Sequence, residues 1–230
     1  MINNKPVIGI ISKHFKENKS ILIDTYIRDE IKQAVFDNGG MAIGILQPKD
    51  GIFTGGDDWK DNYTAEEREN LISQINMCDG IIIQGGRECD IYECIVAKYC
   101  YDNDVPVLGI CAGQNMLVRA LGGTTYDIPN PEKHDRLGVD YVHSITIDEN
   151  SKFYNIVKTK TMKVNSRHKR CVKDCPSLDI VGVCEDGYPD VIESKDKKFY
   201  IGVRFHPESL YKIDEKHNLI FKEFIKVCRN

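Results

Sequence analysis

The stretch Pro106-Val107-Leu108-Gly109-Ile110-Cys111-Ala112-Gly113 carries the clearest chemistry in the sequence. An apolar, β-branched run enters Gly-x-Cys-x-Gly and a helix-compatible segment follows. This is the cysteine form of the strained strand-to-helix turn that presents a nucleophile. Glycines on both sides of the cysteine remove side chains that would collide where the turn brings backbone close. A helix N-terminus behind the sulfur favours the thiolate, which is the reactive form. The alternative is a buried structural cysteine in a helix-starting turn.

A thiol nucleophile needs a base, which stands apart from it in sequence and beside it in space. His206, in Gly202-Val203-Arg204-Phe205-His206-Pro207-Glu208, follows a strand-like segment. Glu208 is placed to orient the imidazole and to stabilise it once protonated. Cys111, His206 and Glu208 thus form a candidate triad for acyl transfer. A tetrahedral oxyanion also needs donors. The amide of Ala112 is one, and Gly85-Gly86, ending another apolar run, offers a second; a plain turn is the other reading of that pair. His14, His134, His143 and His217 lack such surroundings and read as surface or loop residues.

These residues require a scaffold that brings strand ends together. Val7–Ile11, Met41–Leu46, Gly80–Gln84 and Val105–Ile110 are short apolar runs with the look of buried strands. Between them lie helical patterns: Ile23, Ile27, Ile31 and Ala34 ahead of Gly39-Gly40; a helix from the capping box Thr64-Ala65-Glu66-Glu67 to about Met77; Ile91 to Tyr101; and a helix from Cys111 to Gly122-Gly123. The alternation predicts an α/β fold: an open, mostly parallel, flavodoxin-like sheet with helices on both faces. The second half reads as short antiparallel strands at Val139–Ile147, Leu178–Val183, Asp190–Glu193 and Tyr200–Val203, closed by a helix around Leu219–Val227. No linker or repeat divides the chain, so a single domain over 1–230 is expected.

The bulk properties agree. The chain has 230 residues, 41% hydrophobic and 29% charged, and a formal net charge of -4. That balance suits a soluble globular protein and weighs against nucleic acid or an anionic membrane as partner. No apolar run reaches the ~18 residues that span a bilayer, and the N-terminus lacks a signal-peptide pattern. A cytoplasmic location follows. Nine cysteines, none in a paired C-x₂-C spacing, read as free thiols in a reducing compartment. No metal and no cofactor is expected.

Taken together, the motifs resemble the class I glutamine amidotransferase-like superfamily, most of all its gamma-glutamyl-gamma-aminobutyrate hydrolase family. Gly80-Ile-Ile-Ile-Gln-Gly-Gly86 is similar to the oxyanion strand and Leu108-Gly-Ile-Cys-Ala-Gly113 to the nucleophile turn. Ala120 to Pro129 resembles the segment after the turn helix, Val164-Asn165-Ser166-x-His168 the substrate-side loop, and Gly202 to Glu208 the histidine motif. The resemblance implies a hydrolase that cleaves a small γ-glutamyl amide through a thioester on Cys111. It also implies substrate contacts from Arg87, Gln114, Asn115, Asn165, Ser166, Arg167 and His168. The alternative within the superfamily is a glutaminase subunit that delivers ammonia to a separate synthetase. A homodimer and, under that alternative, a synthetase are the protein partners the sequence allows. Two departures bear on the substrate: Asn115 stands where the family has glutamine, and Lys169-Arg170 where it has His-Gln. Arg87, Arg167, Lys169, Arg170 and Arg204 could form a cationic rim for an anionic leaving group.

Overall fold

The computed structural model describes residues 4–16, 21–49, 56–86 and 91–229. The first half contains β1 (Val7–Ile11), β2 (Lys13–Phe15), β3 (Asp24–Tyr26), α1 (Asp29–Asp37), β4 (Met41–Ile45), α2 (Ala65–Asn76), β5 (Gly80–Ile83), α3 (Ile91–Asp102), β6 (Val107–Ile110) and α4 (Ala112–Ala120). The second half contains β7 (Thr124–Asp127), β8 (His143–Ile147), α5 (Lys152–Val157), β9 (Thr161–Val164), β10 (Arg170–Asp174), β11 (Asp179–Cys184), β12 (Pro189–Glu193), β13 (Tyr200–Val203) and α6 (Glu215–Val227). Single 3₁₀ turns occupy Pro131–Lys133 and Pro207–Ser209.

Nine strands form one sheet in the order β4-β1-β5-β6-β13-β12-β11-β8-β9. The first five are parallel and the rest extend the sheet antiparallel. The chain reverses its direction of growth between β1 and β5, the place where open α/β sheets form a crevice beyond their strand ends. The expected α/β architecture, a mostly parallel sheet with antiparallel strands from the second half, is the one observed.

Full burial explains why the runs of β1, β5 and β6 are apolar throughout rather than alternating. Strand β4, read as buried, is an edge strand and only partly covered. Successive side chains go to opposite faces. Ile8, Ile10, Ile82, Leu108 and Ile110 meet α1, α5 and α6 through residues such as Val35, Phe153 and Phe224. Ile11, Ile81, Ile83 and Val107 meet α2, α3 and α4 through Leu71, Ile95 and Leu117. The Thr64 capping box forms as the sequence indicates: the Glu67 N–H donates to Oγ1 of Thr64 and the Thr64 N–H returns to Oε2 of Glu67, at 3.2 and 2.7 Å.

Several elements differ from the sequence reading. Ile23 and Ile27 lie outside α1, which begins at Asp29; residues 24–26 pair with β2 instead. The 3.6-residue spacing there was coincidental, since Ile23 is exposed. Strand β8 starts at His143, not Val139. Strands β7, β9 and β10 and helix α5 were not expected. Among the described residues no helix is long and apolar enough to cross a membrane.

Helix α4 presses directly on the sheet. A Cβ at Gly113 would come 2.0 Å from the Ile83 carbonyl oxygen, and one at Gly109 would come 2.9 Å from the Gly113 carbonyl. Backbone cannot yield as a side-chain tip can. Gly113→Ala should therefore destabilise by about 1–3 kcal/mol, a Tm loss of roughly 2–4 °C per kcal/mol for a chain of this size. An unchanged Tm in thermal denaturation would show that α4 does not seat on β5 in this way.

Candidate active site

The ends of β5, β6 and β13 converge on Cys111. The residue sits between β6 and α4 with φ 54° and ψ -107°, outside the usual regions for a side chain of its size. Its N–H donates to the Val203 carbonyl (2.8 Å), tying the turn to β13. His206 and Glu208 follow β13 at the same sheet edge. Nδ1 of His206 is 2.7 Å from Oε1 of Glu208, and the imidazole and the Cys111 thiol act on each other's charge. Cys111, His206 and Glu208 are 6, 5 and 3% exposed, so the three groups interact with little screening by water.

Burial alone would push the Cys111 thiol up. The His206 charge and hydrogen bond and the Arg204 charge outweigh it and lower the thiol to about 7. Burial opposes the charge on His206 as well, but Glu208 and Cys111 raise its imidazole to about 10. Burial likewise opposes ionisation of Glu208, and His206 more than offsets it, so the carboxyl is lowered. The Cys111 thiol shifts downward, whereas burial raises Cys78, Cys100, Cys171, Cys175, Cys184 and Cys228. Around neutral pH the site therefore holds a thiolate–imidazolium pair with a carboxylate behind it.

Gly85 lies against this pair. A Cβ there would stand 3.0 Å from Cε1 of His206 and 3.1 Å from Cβ of Cys111, so only backbone fits. Gly86 packs on the buried stem of Lys13, whose ammonium pairs with Glu93 (2.5 Å) beneath α3. Ala112 contributes one of the first four N–H groups of α4, which have no intrahelical acceptor. The backbone of Gly85 and the start of α4 thus both lie close to Cys111.

The other expected contact residues divide. Asn165 clamps the main chain of His206: its Nδ2 donates to the His206 carbonyl (2.9 Å) and its Oδ1 accepts the His206 N–H (2.7 Å). That positions the base, with both ends of the amide engaged. Gln114 is fully buried and its Nε2 donates to the Gly202 carbonyl (3.3 Å). Ser166 is buried, and Arg167 is half-buried with its guanidinium on Oγ of Ser209 (3.0 Å). His168 is buried with Nδ1 near the Arg170 carbonyl (3.1 Å), and burial followed by the Arg204 charge keeps its imidazole well below the usual range. Arg87 lies outside the described residues.

The cationic rim does not assemble as expected. Arg204 is 3% exposed and belongs to the interior: Nη1 donates to the Cys111 carbonyl (2.7 Å) and to Oδ1 of Asn115 (2.9 Å). Asn115 is accordingly buried, with its amide oxygen taken. Lys169 and Arg170 pair on the surface with Asp135 and Asp127 (3.3 and 3.2 Å). The reading of three histidines as surface residues is also corrected. His134 and His217 are 3 and 0% exposed and the His143 side chain 10%. His143 lies on β8, His134 packs its ring against that of His143, and His217 lies on the buried face of α6.

One residue of the scaffold escaped the sequence reading. Gln84 is fully buried and joins three segments: it accepts the Arg28 N–H (3.0 Å) and donates to the carbonyls of Ile11 (2.9 Å) and Tyr26 (3.1 Å). Its signal was a lone amide closing the otherwise apolar run of β5.

The fold and the Cys-His-Glu geometry define a class I glutamine amidotransferase-like domain. The family model described as Peptidase C26 matches residues 87–208, and the chain belongs to that family, a class of C–N hydrolases. It is 31% identical over 199 residues to a CTP synthase of Chlamydia trachomatis serovar L2, a match covering 72% of this chain and 36% of that protein. The chain thus spans about a third of the length of the curated relatives it matches. In structure it is similar to a glutamine amidotransferase of Thermotoga maritima (TM-score 0.59, 15% identity, covering 97% of this chain and 96% of that one). It is also similar to the glutaminase domain of the Trypanosoma brucei CTPS with bound acivicin (TM-score 0.64, 16% identity, 97% and 94% covered).

The charge state of the pair gives a direct test. Alkylation of Cys111 by iodoacetamide should rise as pH passes about 7 and mark a thiolate persisting below the usual thiol range. Arg204→Gln and His206→Ala should each move that midpoint upward, because each removes a positive charge that favours the thiolate. A midpoint left in place by both changes would show that neither charge acts on the sulfur.

Proposed function

We propose that the chain is the glutaminase unit of an amidotransferase, acting as one domain over residues 1–230 and supplying ammonia to a synthetase. The observation that carries this reading is the buried Cys111–His206–Glu208 arrangement with its lowered thiol. The relatives named CTP synthase and the glutaminase domain of a CTPS support a synthetase as recipient over a stand-alone γ-glutamyl hydrolase.

In the proposed cycle the Cys111 thiolate attacks the carboxamide carbon of glutamine. Backbone N–H groups of Ala112 and of the Gly85-Gly86 turn donate to the developing oxyanion. As the tetrahedral intermediate collapses, His206 gives its proton to the departing nitrogen, which leaves as ammonia. The neutral imidazole then takes a proton from water, which attacks the γ-glutamyl thioester. Glutamate leaves, and the thiolate–imidazolium pair is restored. Glu208 holds the ring in one tautomer throughout, and Asn165 fixes its main chain.

The acyl end of the substrate meets Asn115 in altered form. Arg204 occupies the amide oxygen of Asn115, which leaves the amide NH₂ for any substrate contact. That observation keeps a second reading in view, in which the same thioester chemistry releases an amine other than ammonia.

Brief exposure to the glutamine analogue 6-diazo-5-oxo-L-norleucine should add one adduct by intact mass, and Cys111→Ala should abolish it. Ammonia release from glutamine should fall at least about 100-fold in Cys111→Ala and in His206→Ala. Faster turnover of a γ-glutamyl amine than of glutamine would move the assignment to the second reading. Absence of both the adduct and ammonia, in folded protein, would overturn the γ-glutamyl site.

Gly85→Ala provides a finer check. Its methyl would crowd both the ring and the nucleophile, so kcat should fall in protein that still unfolds cooperatively, with a smaller Tm loss than that of Gly113→Ala. Unchanged kcat would remove the Gly85 turn from the oxyanion site.

A further inference from the structure

A second cluster of chemically competent side chains lies in the antiparallel half of the sheet. His143 opens β8, Cys184 ends β11 and Asp190 stands near the start of β12. These strands are neighbours in the sheet. One potential ligand atom from each of the three residues lies within 4.8 Å of the other two. Nε2 of His143 and Oδ2 of Asp190 are 2.7 Å apart. Cys184 and Asp190 are 5 and 1% exposed.

Further features point to a ligand rather than to packing. His134 is 3% exposed, its ring centroid 5.1 Å from that of His143, and its Nδ1 has no hydrogen-bond partner among the described residues. Nδ1 of His143 is in the same condition. The turn joining β11 to β12 is closed around Cys184 by its own backbone, which holds the thiol in place. The Cys184 N–H donates to the Tyr188 carbonyl (3.0 Å) and the Gly187 N–H to the Cys184 carbonyl (2.9 Å).

We propose that His143, Cys184 and Asp190 bind a divalent metal ion, zinc by preference, with a fourth position open to His134 or to water. One imidazole, one thiolate and one carboxylate are the donor types zinc accepts, whereas a thiolate disfavours calcium or magnesium. Binding displaces the thiol proton of Cys184 to solvent and forms the metal–sulfur bond in its place. The Nε2 proton that His143 shares with Asp190 moves by way of solvent to Nδ1, which is unpartnered among the described residues. The hydrogen bond then gives way to a bond from Nε2 and from the carboxylate to the metal. The ion would tie β8, β11 and β12 together at one end of the antiparallel extension. The site is separate from the triad and needs none of its residues.

The cysteine spacing held no sign of this site, because its ligands are single residues spread from 143 to 190. Cys111 and His206 could themselves hold a soft metal, so the test removes that possibility first. Chelator-treated Cys111→Ala protein is titrated with Co²⁺ and then with Zn²⁺. One Co²⁺ per chain should bind with a near-ultraviolet thiolate-to-cobalt absorption that Zn²⁺ abolishes. Adding Cys184→Ser should eliminate the absorption. Adding Asp190→Asn should weaken binding by more than about 100-fold, beyond the 10–100-fold typical of losing an outer-shell partner. The absorption surviving Cys184→Ser, or no absorption in folded Cys111→Ala protein, would overturn the proposal. Native mass of the Cys111→Ala protein with Zn²⁺ gives the stoichiometry even if the Cys184 variant does not fold, and a chain that takes up no zinc would equally overturn it.

Discussion

Everything around Cys111 answers to one constraint: charge has to exist where water is largely excluded. A buried thiolate is costly unless an opposite charge is fixed beside it. His206 supplies that charge, and Glu208 in turn makes the imidazolium tolerable. The group sums to one net negative charge, which Arg204 faces from behind. Remove one member and the others lose the partner that justified their burial. The surrounding structure follows from the need to hold these centres still. Asn165 fixes the His206 backbone from both sides, and the glycines let α4 and β5 close on the nucleophile.

The two halves of the sheet divide the work. The parallel half supplies strand ends and a helix N-terminus, a geometry that arises from right-handed crossovers and needs little beyond apolar strands and well-placed glycines. The antiparallel half supplies the groups that reach across from the far side: Asn165 after β9, and Arg204, whose N–H is held by the Asp190 carbonyl of β12 (2.7 Å). Strand β13 belongs to both, pairing parallel with β6 and antiparallel with β12. The base and nucleophile therefore sit on the seam.

This division governs what could be read from the sequence. Buried parallel strands announce themselves as apolar runs, and a steric demand such as that at Gly113 leaves glycine in the sequence. Hence β1, β5, β6, α2 and the Cys111 turn were legible. Antiparallel strands that alternate exposed and buried residues over four positions, as in Thr161–Val164, leave too short a pattern to separate from a loop. Residues whose partners lie far along the chain were misjudged for the same reason. Arg204 looked like surface charge because nothing near it in sequence shows that Asn115 and the Cys111 carbonyl await it. His143 looked exposed because Asp190, its partner, lies 47 residues away.

The Arg204–Asn115 contact also sets a limit on how this chain can vary. The guanidinium fills space that a longer side chain at 115 would claim, and it also holds the carbonyl of the nucleophile. A glutamine at 115, one methylene longer, would have to place its amide against the same guanidinium. Shortening the arginine at 204 would remove one of the two donors to the Cys111 carbonyl, the other being the Gln114 N–H (3.1 Å). The two side chains are coupled through that one hydrogen bond between guanidinium and amide. A change at 204 therefore reaches the nucleophile turn directly, and a change at 115 reaches it through one guanidinium.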